Sequence, residues 1–438
     1  MLKCILFLLL LKLNCIKSFN KSFDGTLTKQ ALLDWGFDPI TSVSINIDSL
    51  GIKSIEPYTF KDFVVLKHLY LRYNEIEIIE AESFAGLINL NGLYLASNSI
   101  KNIADNAFSE LKNLQNLNLG DNLIEQISLK TFQGLNNLNY LYLRYNSIKY
   151  IEDNSFNDLM LLQSLDLRSN KIEAIRLKTF KGLINLAFIE LSHNSIKVVD
   201  ENAFYDLKKL QTLILSNNIL NQISLNSFSG LTLLTGLYLQ ANSISHIENG
   251  AFNHFLNTLQ YLDLRQNLLR EIGLEIFKGL KKLIYLYLSQ NLLSSLEDNA
   301  FTDTENLINL YLNENLLDAI EPNVLIGLKN LQFLNISSNN LAIIHSAVFR
   351  SLPNIKLLDL SSNKIVFIEK NEFQNMNTLE KLNLKNNNLV FLDSNFVQGC
   401  SKLLTLCLSG NYFGNILFNF NGLQSLDLEA IWEASCGL

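Results

Sequence analysis

The sequence predicts an α/β-type solenoid, a chain coiled into short parallel strands with turn-rich returns, and three observations predict it. An Asn stands in one register fifteen times from Asn74 to Asn411, at steps of 24 residues with a single step of 25 from Asn242 to Asn267. Apolar residues precede each at fixed offsets, as Leu66, Leu69 and Leu71 precede Asn74. Ten residues after the slot comes an aromatic, from Phe60, Phe84 and Phe108 through Phe349 and Phe373, with Leu325 and Val397 as exceptions. A single unit of this length cannot bury its own apolar face, so the units must stack into one core.

The N-terminus reads Met1-Leu2-Lys3, an apolar run Cys4 to Leu11, then small residues at Cys15 and Ser18. A basic start, a short apolar stretch and small residues predict a secretory signal over residues 1–18, too short to span a bilayer. Residues 19–42 are expected to form an N-terminal cap, with a short helix around Ala31 to Asp34 and Trp35 packed on the first rung. The solenoid proper is expected over residues 43–411, about 16 rungs, opening on a degenerate one at Ile45, Ile47, Leu50, Ile52 and Ile55. Residues 412–438 would hold a shortened last rung at Leu423, Leu426 and Leu428 and a C-terminal cap with Trp432.

A length of 438 residues would ordinarily mean two to four domains joined by linkers, yet only 4 Pro and 19 Gly are present. A solenoid removes the conflict, because it grows by adding rungs to one continuous core. In each rung the alternation x-Leu-x-Leu-x sends both leucines to one side of a strand. The chain then turns sharply, and an Asn amide, with donors and an acceptor, can satisfy the corner from rung to rung. The second halves alternate with a period of 48 residues. Rungs such as Ile127-Ser-Leu-Lys130-Thr-Phe132-Gln-Gly alternate with acidic ones such as Ile151-Glu152-Asp153-Asn-Ser-Phe156. This strip reads as a solvated structural edge whose ion pairs contribute about 0–1 kcal/mol each.

The repeat Leu-x-x-Leu-x-Leu-x-x-Asn-x-Ile-x-x-Ile, followed by Asn106-Ala107-Phe108 and its equivalents, resembles the typical 24-residue leucine-rich repeat of extracellular animal proteins. That group includes Toll-like receptor ectodomains, Slit-type guidance proteins, small leucine-rich proteoglycans and chaoptin-like adhesion proteins. The resemblance implies a right-handed horseshoe with a parallel concave β-sheet and an irregular or 3-10 convex side. Family members carry Cys-rich caps; residues 19–42 contain no Cys, and Tyr412-Phe413-Gly414-Asn415 stands where the C-terminal cap would begin.

Outward strand positions lie two, four and six residues before each Asn slot. The central column carries Tyr70, Tyr94, Tyr142, Asp166, Glu190, Tyr238, Asp263, Tyr287 and Tyr311, and the next column carries Arg72, Arg144, Arg168 and Arg265. Tyr and Arg are enriched in protein interfaces because they join large contact area to polar ends, and interleaved charges orient a partner. These residues are therefore the expected contact face for a protein or glycoconjugate ligand. Stacked strands about 4.8 Å apart give roughly 75 Å of face. Tyr ladders also stabilise parallel sheets without any ligand.

The formal charge of −7, without blocks of like charge, argues against nucleic acid and polybasic membrane docking, and the lack of any other apolar run approaching 18 residues argues against direct membrane insertion. His68, His193, His246, His254 and His345 fall at unrelated repeat positions, and no nucleophile or phosphate-loop motif occurs. No enzyme, metal or cofactor is expected. Of Cys400, Cys407 and Cys436, two could pair in an oxidising compartment, and the sequence leaves open which. Asn20 and Asn335 have the form of glycosylation acceptors. The expected role is a secreted recognition, adhesion or matrix protein, with homodimerisation open. The alternatives are a membrane-receptor ectodomain or a non-catalytic subunit of a secreted complex.

Overall fold

A computed structural model of the chain describes residues 23–413, apart from residues 346, 370, 371, 374, 375, 394 and 395, and the strand Ser425–Asp427. The leader, Asn20, Trp432 and Cys436 lie outside the described residues. The chain divides after Leu210 into two compact units. Each is a stack of rungs with one three-residue strand per rung, paired in parallel and in register with the next.

In the first unit the stack runs from Ser44–Asn46 through His68–Tyr70, Gly92–Tyr94, Asn116–Asn118, Tyr140–Tyr142 and Ser164–Asp166 to Phe188–Glu190. In the second it runs from Thr212–Ile214 through Gly236–Tyr238 and seven further strands to Ser425–Asp427. The middle residue of each strand is the inward Leu or Ile, as at Leu69, Leu165 and Leu286, all 0 % exposed. The predicted Phe column is also buried. Its rings stack from rung to rung, Phe84 on Phe108 at 6.0 Å and Phe156 on Phe180 at 6.3 Å between centroids.

The returns are turns, and the described residues contain one α-helix, Lys29–Asp34, and two 3-10 turns, Asn253–Phe255 and Phe349–Ser351. The first 3-10 turn lies in the rung that has the extra residue. The insertion falls wholly on the far side, where Phe255 is buried against Phe228 and Phe252, so strand register is kept. At the N-terminus, Thr28 Oγ1 accepts the Ala31 N–H at 3.1 Å and starts the helix, Leu32 and Trp35 are buried, and Trp35 meets Phe23 edge-on at 5.4 Å.

Each corner is built as the spacing predicts. Asn98 Nδ2 donates to its own rung's Leu95 carbonyl at 3.0 Å and to the preceding rung's Leu71 carbonyl at 2.9 Å, and its Oδ1 accepts the Ile76 N–H at 3.1 Å. The residue before each Asn is left-handed, including Tyr73 at φ 58° and Tyr145 at φ 53°. A non-glycine residue there costs about 1–2 kcal/mol, which the buried amide contacts offset.

The 48-residue period has a structural cause. Short second strands on the flank pair two rungs at a time, as Gln126–Ile127 with Tyr150–Ile151 and Ala174–Ile175 with Val198–Val199. In the pair Gln126–Ile127 with Tyr150–Ile151, the acidic rung clamps its neighbour twice. Glu152 accepts the Leu129 N–H and Asp158 the Gly134 N–H, both at 2.8 Å. The same contacts recur from Glu297 to Leu274 and from Asp303 to Gly279, at 2.7 and 2.9 Å. These carboxylates are thus backbone acceptors as well as members of a solvated edge. Gly134 has φ 86°, and a Cβ there would lie 3.0 Å from the Ser109 carbonyl oxygen, so the clamped turn takes Gly.

Candidate functional site

The outward columns form a continuous face in each unit, and the two faces differ in chemistry. In the first unit, Tyr70 and Tyr94 stack at 4.6 Å with rings 4° apart. Arg72 lies over Tyr70 at 5.2 Å and is held by Asp48, Nη2 to Oδ2 at 2.9 Å. Tyr142 is half-buried, as is Arg144 beside it. Asp166 and Glu190 are register partners and only 6 % and 8 % exposed. Arg168 reaches Asp166 at 3.4 Å.

Burial raises the Asp166 pKa above the ordinary carboxylate range. The Arg168 N–H and guanidinium and Arg144 oppose the rise, and the Glu190 charge adds to it. An acid whose folded pKa is raised contributes stability below its unfolded value and loses it as pH rises through the folded one. Relative to Asp166→Asn, the wild type should therefore lose stability between pH 4 and pH 7. Urea unfolding at both pH values measures this, and an unchanged difference between the two proteins would show the carboxyl to be unperturbed.

The second unit carries an aromatic row. Tyr238 meets Tyr261 at 4.6 Å, Tyr261 meets Tyr287 at 5.1 Å, Tyr287 meets Tyr311 at 4.6 Å, and Tyr311 meets Phe333 at 4.8 Å. Beneath the row lies Asp263, 0 % exposed, which accepts Arg265 Nε at 3.0 Å and Nη2 at 2.6 Å. The Arg265 guanidinium sits 4.8 Å from the Tyr287 ring centroid. Burial raises the phenol pKa values of Tyr238, Tyr261 and Tyr287 above the ordinary value, so these hydroxyls stay neutral donors.

All twelve residues predicted for the contact face lie on these two faces, but the acidic ones do not project. Their carboxylates fold down and accept the N–H two residues ahead, Asp263 from Arg265 at 3.0 Å and Glu190 from Ser192 at 2.9 Å. Asn335 does the same toward Ser337 at 2.9 Å and is 7 % exposed, so a glycan there would require that contact to open. A short side chain bends to the backbone and is then overtopped by neighbouring Tyr and Arg.

Sequence reasoning missed several members of the face. Gly92 and Gly236 have ordinary φ and make room for a tyrosine ring: a Cβ on Gly92 would lie 2.9 Å from the Tyr94 hydroxyl, and one on Gly236 3.1 Å from Tyr238 Cε2. The twice-occurring Gly-Leu-Tyr was the available signal. Five buried side-chain polar atoms lack a partner among the described residues, and four of them, on His68, Arg144, Arg168 and Gln240, belong to the face. Such atoms are rare in native structures and call for a specific explanation.

Other predicted features fall elsewhere. Cys400 is a buried free thiol, its pKa pushed up to about 12 by burial, while Cys407 is disulfide-bonded. Among the described residues no cluster of three or more His, Cys, Asp or Glu could hold a metal, and no helix is long and apolar enough to cross a membrane.

Compared by sequence with curated proteins, the chain has no significant match. Among solved structures it is similar to a chain of the Drosophila Toll–Spatzle complex, at 22% identity and TM-score 0.74, covering 88% of this chain and 56% of that one. The chain thus spans little over half the length of that relative. It is similar to a leucine-rich repeat protein of Leptospira interrogans at 25% identity and TM-score 0.66, covering 86% and 92%. It is also similar to a chain of the TLR13–ssRNA13 complex at 20% identity and TM-score 0.54, covering 90% and 81%. The leucine rich repeat family model matches in nine overlapping segments that together run from residue 43 to residue 389. With its Asn corners, stacked strands and buried Phe column, the chain belongs to the leucine-rich repeat family.

Proposed function

We propose that the chain is a secreted binding protein that recognises a protein partner through the sheet faces of its repeats. The continuous rows of half-buried Tyr interleaved with Arg on those faces carry the reading, because such side chains join large contact area to polar ends. The contact residues are Tyr70, Tyr94, Tyr142, Tyr238, Tyr287 and Tyr311 with Arg72, Arg144 and Arg168. Asp166, Glu190 and Asp263 act by shaping the backbone and holding the arginines. A protein fits better than a glycan: the rings stack on one another at 4.6 Å, so ring faces that would receive sugars are occupied. Buried carboxylates on the same face disfavour a polyanion such as RNA.

The test is capture from extracellular fluid on immobilised wild type and on the Tyr94→Ala, Tyr142→Ala, Tyr238→Ala triple variant, followed by affinity measurement with the captured protein purified. Interface Tyr residues contribute about 1–2 kcal/mol or more each, so at least a tenfold loss is expected. Equal affinity, with the variant folded by circular dichroism, would sink the reading. A second reading, the ectodomain of a membrane receptor, is favoured by the likeness to the Toll–Spatzle structure. Fractionation of the native protein between membrane and fluid separates the two.

A further inference from the structure

The far side of the first unit holds a groove of about 520 Å³ between the turns of two paired rungs. Its wall is apolar: Leu177 and Tyr205 are 54 % and 55 % exposed, and Ala203 forms the floor between them. Lys178 and Lys181 line the same groove, are exposed, and make no ion pair among the described residues. Lys208 adds a third cation, 3.6 Å from the Tyr205 ring centroid. Two carboxylates also face this region, but each is engaged with backbone, Asp200 with the Leu177 N–H at 3.2 Å and Asp206 with the Gly182 N–H at 3.3 Å.

The repeat supplies an internal comparison, since the same backbone turns recur with different side chains. In the second unit the equivalent groove measures about 260 Å³. Glu275 stands where Lys178 does and neutralises Lys278 at 2.8 Å, and Thr302 replaces Tyr205. One rung pair earlier in the first unit, Lys130 is paired with Asp105 at 3.5 Å and Asn157 stands in the Tyr205 position. Backbone geometry therefore does not require the combination of unpaired lysines and an exposed aromatic wall. Lysines are point charges that attract carboxylates without the planar fork by which Arg selects phosphate, and the apolar wall asks for a side chain to cover it.

We infer that the groove between Leu177 and Tyr205 docks an acidic peptide segment of a partner protein, its carboxylates on Lys178 and Lys181 and an aromatic side chain against Leu177, Ala203 and Tyr205. This site is separate from the sheet face, so the two can fail independently.

Fluorescence anisotropy with a labelled Glu-Glu-Phe-Glu-Glu-Phe-Glu-Glu peptide tests it on the full chain. The peptide should bind saturably. Replacing its Phe by Ala, or its Glu by Gln, should each weaken binding at least tenfold. Lys178→Glu with Lys181→Glu should also weaken it at least tenfold, and both positions are exposed, so folding is not at risk. Lys278→Glu, in the second unit's groove, should change affinity less than twofold. Equal binding of the Ala-substituted peptide would reduce the site to diffuse charge attraction and overturn the proposal. So would equal loss with Lys278→Glu, or no saturable binding of the parent peptide.

Discussion

Asn170→Ala should cost roughly 4–6 kcal/mol of unfolding free energy. The Asn170 amide donates to the Leu143 and Leu167 carbonyls at 3.0 Å each and to the Arg168 carbonyl at 3.3 Å, and its Oδ1 accepts the Ile148 N–H at 3.0 Å. Alanine leaves these groups buried without partners, at about 1–3 kcal/mol apiece, in a corner where Ser169 is already held at φ 53°. Only partial relaxation is open to them, because the donors and acceptors belong to two adjacent rungs fixed by the sheet. Asn98 provides the ranking control. It makes three of the four contacts, without the one to the carbonyl two residues back, and is only half-buried, so water can replace part of what is lost and Asn98→Ala should cost less. Urea unfolding of both variants measures the difference. A cost below about 1 kcal/mol for Asn170→Ala would mean that the Asn column decorates the corners instead of holding them.

That column was legible in the sequence because a strict period fixes which residues share an environment, and an Asn in every corner has few other uses. The Leu and Phe columns were legible for the same reason, down to Leu325, which is 0 % exposed in a Phe slot. Legibility fades where the period slips. Phe396, one residue before the slot at Val397, is the buried ring that meets Phe373 at 6.1 Å. It fades more at the site. Period two gives the direction of a Cβ, so Asp166, Glu190 and Asp263 were placed on the outer face correctly. Whether a short carboxylate stands up or bends to the N–H two residues on depends on the height of its neighbours, which no single position encodes. The acidic rungs show the same limit: their 48-residue alternation was plain, while their function as acceptors for the turns of the preceding rung needed the structure.

The Asp263–Arg265 pair gives the second large effect, and it connects stability to recognition. Arg265→Ala removes every side-chain donor from a carboxylate that is 0 % exposed, leaving it the single backbone N–H of residue 265. Breaking a buried pair from one side costs about 3–5 kcal/mol, since the remaining charge stays desolvated, and the lost contact with the Tyr287 ring adds about 0.5–1 kcal/mol. Arg265→Lys keeps the charge without the fork and should fall between the variant and wild type. Combining Arg265→Ala with Asp263→Asn should recover a large part of the loss, because no unpaired charge remains. The double variant also isolates function. If Tyr238, Tyr287 and Tyr311 contact the partner directly and the pair only supports them, the refolded double variant should bind with modestly reduced affinity. If binding collapses while stability recovers, the Arg265 guanidinium itself must meet the partner, despite its neutralisation by Asp263.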